Sequence, residues 1–290
     1  MDMTNDELEA ARAAAIAEDR CFSKGRLQDE FRMKPKADAV PVAFYKNGYG
    51  GKFGVYKIAD CVPMRLQVSS PVSDKQKRAR EMLALKAKLK SNVAKLSIVA
   101  REWLNHEPLF LDTETTGLDD EAQIVELAIT DKVGNVLIET RLRPTVQIAP
   151  EAEAIHNISI RDLAECPTWP DVSAQVRQLL ASRPLVIFNA DFDTRLLHQT
   201  ATAFGEDTSW ISKLETHCAM YLAADVFGST NKYGSISLAN AVNAAGVVWK
   251  GDAHGAVADT LATVDVVHSI AEISLSLERE LAALTMRPVE

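Results

Sequence analysis

The stretch LFLDTETTGL, residues 109–118, decides the fold and places the first candidate site residues. Its apolar start predicts a buried strand over residues 109–113, and side chains two apart on a strand point to the same face. Asp112 and Glu114 therefore lie side by side. Two unneutralised carboxylates raise each other's pKa or require a counter-ion, and hard oxygen ligands suit Mg²⁺ or Mn²⁺. We interpret the pair as a metal site, and a solvated acidic pair at a strand end is the alternative that this stretch leaves open.

Two later stretches carry further polar residues next to predicted elements. PLVIF, residues 184–188, predicts a second buried strand and runs into NADFDTRLL, where Asp193 stands near the start of a helix. GDAHGAVADTLATVDVVHSIA contains His254 and Asp259, five residues apart. Five residues turn an ideal helix by about 500°, so these two side chains would not share a helix face. We therefore place His254 in the glycine-flanked loop before the helix and Asp259 within the helix. A histidine in that loop, near metal-bound carboxylates, is positioned to take a proton from water.

Three motifs in this order resemble those of a known family. They are Asp-x-Glu at Asp112 and Glu114, Asn-Ala-x-Phe-Asp ending at Asp193, and His-x-Ala-x-x-Asp from His254 to Asp259. The chain resembles the DEDDh-type 3′→5′ exonucleases, the DnaQ-like family of the ribonuclease H-like superfamily. The resemblance implies an α/β fold in which a mixed sheet is flanked by helices.

The resemblance also implies a chemistry and a set of roles. The ligands that it assigns to two Mg²⁺ or Mn²⁺ ions are Asp112, Glu114, Asp193 and Asp259. It assigns His254 as the general base. Histidine suits that role because the side chain titrates near neutral pH. The reaction implied is hydrolysis of the phosphodiester bond at the 3′ end of single-stranded DNA or RNA by a two-metal mechanism. Two alternatives stay open: a protein that binds or scaffolds nucleic acid without efficient hydrolysis, and a polymerase-associated proofreading exonuclease.

Other residues are candidates for substrate contacts by the same resemblance. An ordinary strand-to-loop turn would use several of them equally well, and a structural role for the histidine among them stays open. The predicted substrate-binding residues are Thr115, Gly117, Leu118, His156 and Asn189. For the acid after the second strand we choose Asp193 over Asp191, and we interpret Glu126 as a surface carboxylate.

The composition is that of a globular protein, and the cysteine pattern is that of a protein in a reducing environment. The chain has 290 residues, of which 47% are hydrophobic and 25% charged. Its four cysteines are scattered without a Cys-x-x-Cys pair, which argues against structural zinc and against a disulfide framework. The acidic start MDMTNDELEA lacks the features of a signal peptide. We expect a cytoplasmic protein without a membrane partner.

We divide the chain into three regions. Residues 1–72 form an α+β extension of unknown role, and residues 107–285 form the exonuclease domain. Residues 73–104 form a long basic amphipathic helix that connects the two. Residues 1–100 carry 19 Lys and Arg against 12 Asp and Glu, whereas residues 101–290 carry 13 against 28. The basic part is a candidate for attraction to nucleic acid, or for docking of a protein partner or a second copy.

A hairpin is predicted within residues 40–64, where VPVAFYK and KFGVYKIA flank NGYGG. Aromatic residues alternate there with lysines. Two interpretations are open: a small β core with the aromatics facing inward, or exposed rings that stack the bases of a single strand.

The sequence of residues 107–285 predicts both strands and helices. Strands over residues 109–113, 123–130 and 136–142 are separated by short connections and predict an antiparallel meander. The strand over 184–188 follows a helix, which favours parallel pairing. The predicted helices cover residues 171–181, 193–204, 215–227, 237–245 and 254–284.

Overall fold

A computed structural model describes residues 5–46, 51–64, 73–251 and 253–286 of the chain. The chain divides into two compact units, Met1–Val72 and Ser73–Glu290. The stretch SSPVS, residues 69–73, whose composition predicts a linker, lies, apart from Ser73, outside the described residues.

The first unit is a small α+β structure with its own core. A three-stranded antiparallel sheet has the order β1-β4-β3, and β2 pairs with β5 as an antiparallel ribbon. Phe22, Leu27 and Ile58 are fully buried at its centre. The elements are α1 (Asn5–Ala17), β1 (Cys21–Ser23), α2 (Lys24–Phe31), β2 (Met33–Pro35), β3 (Ala43–Lys46), β4 (Lys52–Lys57) and β5 (Cys61–Pro63).

The predicted hairpin is β3 paired with β4, and its connection over residues 47–50 lies outside the described residues. The inward-facing interpretation of its aromatics is wrong for three of them. Tyr56 is buried in the core, but Phe44, Tyr45 and Phe53 are 68%, 56% and 40% exposed. The core of this unit is formed by other side chains, among them Phe22, Leu27 and Ile58.

The second unit carries a five-stranded mixed sheet of order β10-β9-β6-β7-β8. The predicted meander is confirmed, because β6 pairs antiparallel with β7 and β7 with β8. The predicted parallel strand is confirmed as β9, which lies between β6 and β10. The elements are α3 (Asp74–Lys88), α4 (Asn92–Asn105), β6 (Leu109–Thr115), β7 (Ile124–Asp131), β8 (Val136–Arg141), α5 (Pro150–His156), α6 (Trp169–Leu180), β9 (Leu185–Ile187), α7 (Ala190–Ala203), β10 (Thr216–Cys218), α8 (Ala219–Phe227), α9 (Leu238–Ala245) and α10 (Ala256–Met286).

Helices cover both faces of the sheet. Leu109 and Leu111 of β6 pack into a core with α6 and α7, whereas Phe110 packs on the other face with α4, α8 and α10. Strand β6 is therefore buried on both faces up to its end. This double cover fixes the direction in which the polar side chains that follow Leu111 can point.

Two predicted helices differ from the structure. The single helix over residues 73–104 is two helices, because Ser91 accepts a hydrogen bond from the Ala94 N–H at 3.2 Å and starts α4. The helix predicted from residue 215 begins at Ala219, because Thr216–Cys218 pairs with β9 as β10. The apolar spacing continues through both the Ser91 cap and strand β10, so spacing alone could not predict either feature.

Helix α10 is long and apolar enough to cross a membrane by length and composition alone. Its apolar side chains have partners within the protein: Val266, Val267 and Ile270 are fully buried against the sheet and α4. The composition of α10 is thus explained by its place in the core.

Candidate active site

Three carboxylates meet at the end of β6. Asp112 and Glu114 project from the same face of the strand, and Asp259 comes from the first turn of α10, which packs on that face. One oxygen atom of each carboxylate lies within 4.8 Å of the others. Residues 112 and 259 are far apart in the chain, so this convergence depends on the antiparallel meander and on the packing of α10.

Asp193 is held beside this group rather than within it. It lies in the first turn of α7, is 3% exposed, and accepts a hydrogen bond from the Thr113 hydroxyl at 2.7 Å. Its charge raises the pKa of Asp112 and of Glu114, so it acts on the same site. Asp191 is exposed on the same helix. The structure thus brings three of the predicted acids into one cluster and places the fourth next to it.

The four acids resist ionisation. Burial, followed by the charges of Asp193, Asp259 and Glu114, holds the pKa of Asp112 well above its usual range. Burial and the charge of Asp259 raise the pKa of Glu114 to about 8. Burial raises the pKa of Asp193 to about 7, against the hydrogen bond from Thr113, and burial also raises the pKa of Asp259. These shifts are the signature of clustered, desolvated negative charge.

The donor set fits a divalent cation with a preference for oxygen. Carboxylates on a strand and on a packed helix supply hard oxygen atoms, and the cluster of Asp112, Glu114 and Asp259 contains no thiol or imidazole ligand. A cation placed among them would remove the repulsion that raises their pKa values. The chemistry of the residues therefore matches Mg²⁺ or Mn²⁺ better than zinc.

His254 lies before α10, as its spacing from Asp259 predicts. Its backbone has φ +66°, a left-handed conformation that is uncommon for a residue other than glycine, and its N–H donates to the Asp259 carboxylate at 3.1 Å. The imidazole is exposed and lines a cavity of about 410 Å³ together with Glu126, Arg141 and Lys250. The backbone contact ties the histidine to one of the clustered acids and leaves its ring accessible to solvent.

Glu126 is the residue that the sequence interpretation misjudged. It stands directly opposite Glu114 in the β6–β7 register, and its side chain is largely buried rather than solvated. One carboxylate oxygen accepts from Arg141 Nε at 2.9 Å, and the other accepts from the Ala256 N–H at 3.0 Å. Ala256 is the first residue of α10, so Glu126 anchors the turn that carries His254. A single acid inside the apolar run IVELAIT was the signal for this role.

A second cavity, of about 370 Å³, is lined by Glu114. Four of the residues predicted for substrate contacts line it: Thr115, Gly117, Leu118 and His156. Leu118 is 78% exposed at its edge. A Cβ at Gly117 would meet the Cβ of Ala149 at an ordinary 3.6 Å, so packing within the protein does not require glycine there. Phe192 and Ile155 also line this cavity and were missing from the predicted set.

Two of the five predicted contacts, His156 and Asn189, have environments that set them apart from the other three. His156 is buried, and its ring accepts the Ile158 N–H at Nδ1, which leaves Nε2 to donate to the Thr115 carbonyl at 3.1 Å. Both ring nitrogens are thus engaged by the backbone, which favours a structural role in the cavity wall. Asn189 is exposed at the start of α7, where its carbonyl accepts the Phe192 N–H, and it is not among the residues that line the two cavities described.

Comparison with known proteins decides the family. The exonuclease family model (RNase T) matches residues 109–267, the region that holds the acid cluster, His254 and both cavities. The chain belongs to this exonuclease family. The DnaQ-like, ribonuclease H-like resemblance drawn from the motifs is thereby confirmed, and so is the mixed α/β fold.

Three relatives illustrate the similarity. The uncharacterized exonuclease CP81 of Escherichia phage 186 is 37% identical over 185 residues, which cover 62% of this exonuclease and 95% of the relative. DNA polymerase III subunit epsilon of Rickettsia prowazekii is 29% identical over 126 residues, 41% of this chain and 55% of that one. A solved structure of exonuclease X in complex with 5′-overhanging duplex DNA has 27% identity and a TM-score of 0.45, covering 61% of this chain and 98% of that one.

Removal of the Glu126 side chain should impair the exonuclease without unfolding it. Glu126→Ala frees the first turn of α10. Because small displacements of catalytic groups lower turnover strongly, we expect kcat to fall about tenfold at unchanged KM. Glu139→Ala is the matched control, because it removes an exposed carboxylate from the same cavity. Equal kcat values for the two variants would show that Glu126 does not position α10.

The raised pKa values predict how the stability of the metal-free exonuclease depends on pH. Because Glu114 and Asp193 have folded-state pKa values of about 8 and about 7, the folded state holds more protons than the unfolded state between about pH 4 and about pH 8. Stability is therefore lost as pH rises through this window. We expect the melting temperature in EDTA to fall by about 5 °C between about pH 6 and pH 9, and Mg²⁺ to reverse the fall.

Glu114→Gln tests the origin of that pH dependence. The amide cannot ionise, so its melting temperature in EDTA should fall less over the same pH range than that of the wild type. Parallel melting curves of the two proteins against pH would contradict the assignment of the effect to this cluster.

Proposed function

We propose that this exonuclease removes nucleotides one at a time from the 3′ end of single-stranded DNA. The observation that carries the proposal is the cluster of Asp112, Glu114 and Asp259, with Asp193 beside it, at the rim of a cavity of about 370 Å³. A cavity of that size fits one terminal nucleoside next to the carboxylates. The DEDDh motif order supports the 3′→5′ direction, and the DNA polymerase subunit among the relatives supports DNA as the polymer.

The residues of this chain would divide the work among them. Asp112, Glu114, Asp193 and Asp259 would hold two divalent ions, which supply an acidified water and charge neutralisation of the phosphate when bound. His254, accessible in the neighbouring cavity, takes the proton that the attacking water loses. Glu126 holds the turn of His254 in place through the Ala256 N–H. His156 keeps the Thr115 carbonyl and the cavity wall fixed.

The apolar part of the cavity would receive the terminal nucleoside. Leu118 stands at its edge, and Phe192 and Ile155 offer further apolar surface. A base placed against these side chains buries them from water, which contributes binding energy without participating in bond cleavage. In this proposal the apolar side chains of the cavity contribute affinity, and the carboxylates contribute reactivity.

Leu118→Ala tests this separation. We expect KM for a single-stranded oligonucleotide to rise about fivefold, because roughly 1 kcal/mol of apolar contact is lost, while kcat changes little. Leu83→Ala, which removes an equally exposed leucine from α3, is the control and should leave both constants unchanged. A fall in kcat with constant KM would place Leu118 at the reacting bond instead.

The direction and the polymer are tested with end-labelled strands. A 20-nucleotide DNA labelled at its 5′ end should give a ladder of successively shorter products in Mg²⁺, and the same strand labelled at its 3′ end should release labelled mononucleotide at once. EDTA should stop both reactions, and RNA of the same sequence should be shortened more slowly. Release of mononucleotide from the 5′ label, or a single internal cut, would refute the proposal.

A further inference from the structure

The hairpin of β3 and β4 presents aromatic rings to solvent instead of to its core. Tyr45 and Phe53 stand directly opposite each other in the antiparallel register, with ring centroids 6.1 Å apart. Cross-strand partners project from the same face of a sheet, so the two rings lie side by side on one face, with their planes inclined by 32°. Phe44, the residue before Tyr45, is also exposed but projects from the opposite face of the hairpin. Exposed rings on both faces of one hairpin offer stacking surfaces to a partner.

The charges on the same hairpin specify the chemistry of that partner. Lys46 stands directly opposite Lys52, the next pair after Tyr45 and Phe53, and therefore on the face that carries Phe44. Like charges in opposed positions destabilise a hairpin, and within the described residues neither ammonium has an ion-pair partner. Residues 39–59 contain three lysines and no acid, and the third, Lys57, is paired with Asp19 at 2.7 Å. The repulsion between Lys46 and Lys52 would be relieved by a polyanion.

We propose that Phe44, Tyr45, Lys46, Lys52 and Phe53, the hairpin platform, bind single-stranded nucleic acid. Strand β3 is the edge of its sheet, so a single strand that stacks its bases on Tyr45 and Phe53 can pass this edge and bring its phosphates to the lysines on the other face. Every base has a π face, so such binding is tolerant of sequence and takes both DNA and RNA. The platform adds a second binding surface for the substrate class of the proposed nuclease, and its purpose rests on that proposed function.

Binding is measured in EDTA, so that it is separate from hydrolysis. The probes are fluorescein-labelled dT20 and rU20, and the readout is fluorescence anisotropy of the full-length protein. Tyr45→Ala combined with Phe53→Ala should weaken the affinity for both probes about tenfold or more, since each stacked base contributes about 1 to 3 kcal/mol. Tyr45→Phe combined with Phe53→Tyr keeps both rings and should retain affinity. Tyr221→Ala combined with Tyr233→Ala removes two exposed rings elsewhere and is the matched control.

The lysines are tested through salt. Lys46→Gln combined with Lys52→Gln should reduce the slope of log affinity against log salt concentration by about 1.4, the value for two phosphate contacts on a single strand. An unchanged slope in this variant would overturn the role of the lysines.

Two results would overturn the platform itself. One is an affinity of the ring-lacking variant within twofold of the wild type. The other is loss of self-association in sedimentation with unchanged oligonucleotide affinity, which would assign the surface to a second copy of the chain.

The nuclease proposal has a separate readout. Hydrolysis of the p-nitrophenyl ester of thymidine 5′-monophosphate in Mg²⁺ engages the reacting site alone and should be equal in the wild type and the platform variants. If the wild type fails to hydrolyse this ester or to shorten strands, the proposed function fails while the binding result stands.

Discussion

Replacement of Asp112 by Asn is expected to lower the rate of strand hydrolysis by about 10³-fold or more. Asp112 is the carboxylate on which burial and the charges of Asp193, Asp259 and Glu114 all act, so it sits at the electrostatic centre of the cluster. An amide supplies one neutral oxygen and cannot balance a divalent charge. A correctly held cation stabilises the transition state by several kcal/mol. Loss of that stabilisation lowers the rate by about 10³-fold.

The same substitution should make the metal-free protein more stable. The neutral amide of Asp112→Asn cannot repel the neighbouring carboxylates, so the melting temperature in EDTA near pH 8 should rise by about 3 °C while activity disappears. Asp191→Asn is the control, because it removes an exposed acid close to Asp193 and should change neither quantity. Activity of the Asp112→Asn variant within tenfold of the wild type would exclude this carboxylate from the reaction.

Replacement of His254 by Ala is expected to lower kcat by about 10²- to 10³-fold. The reason is loss of the group that accepts the proton of the attacking water, and general bases contribute factors of this size. Metal affinity should stay the same, because only the backbone N–H of residue 254 contacts Asp259, and alanine retains it. The measurements are single-turnover rates and a Mn²⁺ titration of both proteins.

Added imidazole distinguishes a lost base from a disturbed turn. It should restore part of the rate in His254→Ala, since the ring position opens onto a solvent-accessible cavity. His198→Ala, which removes an exposed histidine from α7, is the matched control. A kcat of His254→Ala within twofold of the wild type would refute the role of the histidine.

The elements that carry the site were predictable from the sequence because each depends on a strong local pattern. The apolar run before Asp112 can only be a buried strand, and alternation then fixes the direction of Asp112 and Glu114. The glycine-flanked position of His254 and the apolar spacing after Ala256 locate the start of α10 within two residues. That Asp259 and Asp193 approach the same strand end followed from the family resemblance, not from any local pattern.

What the sequence did not reveal depends on tertiary contacts. The position of Glu126 is set by its cross-strand partner Glu114 and by a backbone N–H that lies 130 residues further along the chain. Strand β10 exists only through its parallel pairing with β9. The exposure of Tyr45 and Phe53 follows from which side chains fill the small core of the first unit, and alternation alone cannot tell the two faces of a hairpin apart.

The central claim is that four acids distant in the chain hold divalent ions for strand hydrolysis, and anomalous diffraction from crystals soaked in Mn²⁺ tests it most directly. We expect two anomalous peaks at the end of β6, beside the carboxylates of Asp112, Glu114, Asp193 and Asp259. Peaks elsewhere, or none at these carboxylates under conditions in which the protein shortens DNA, would contradict the claim.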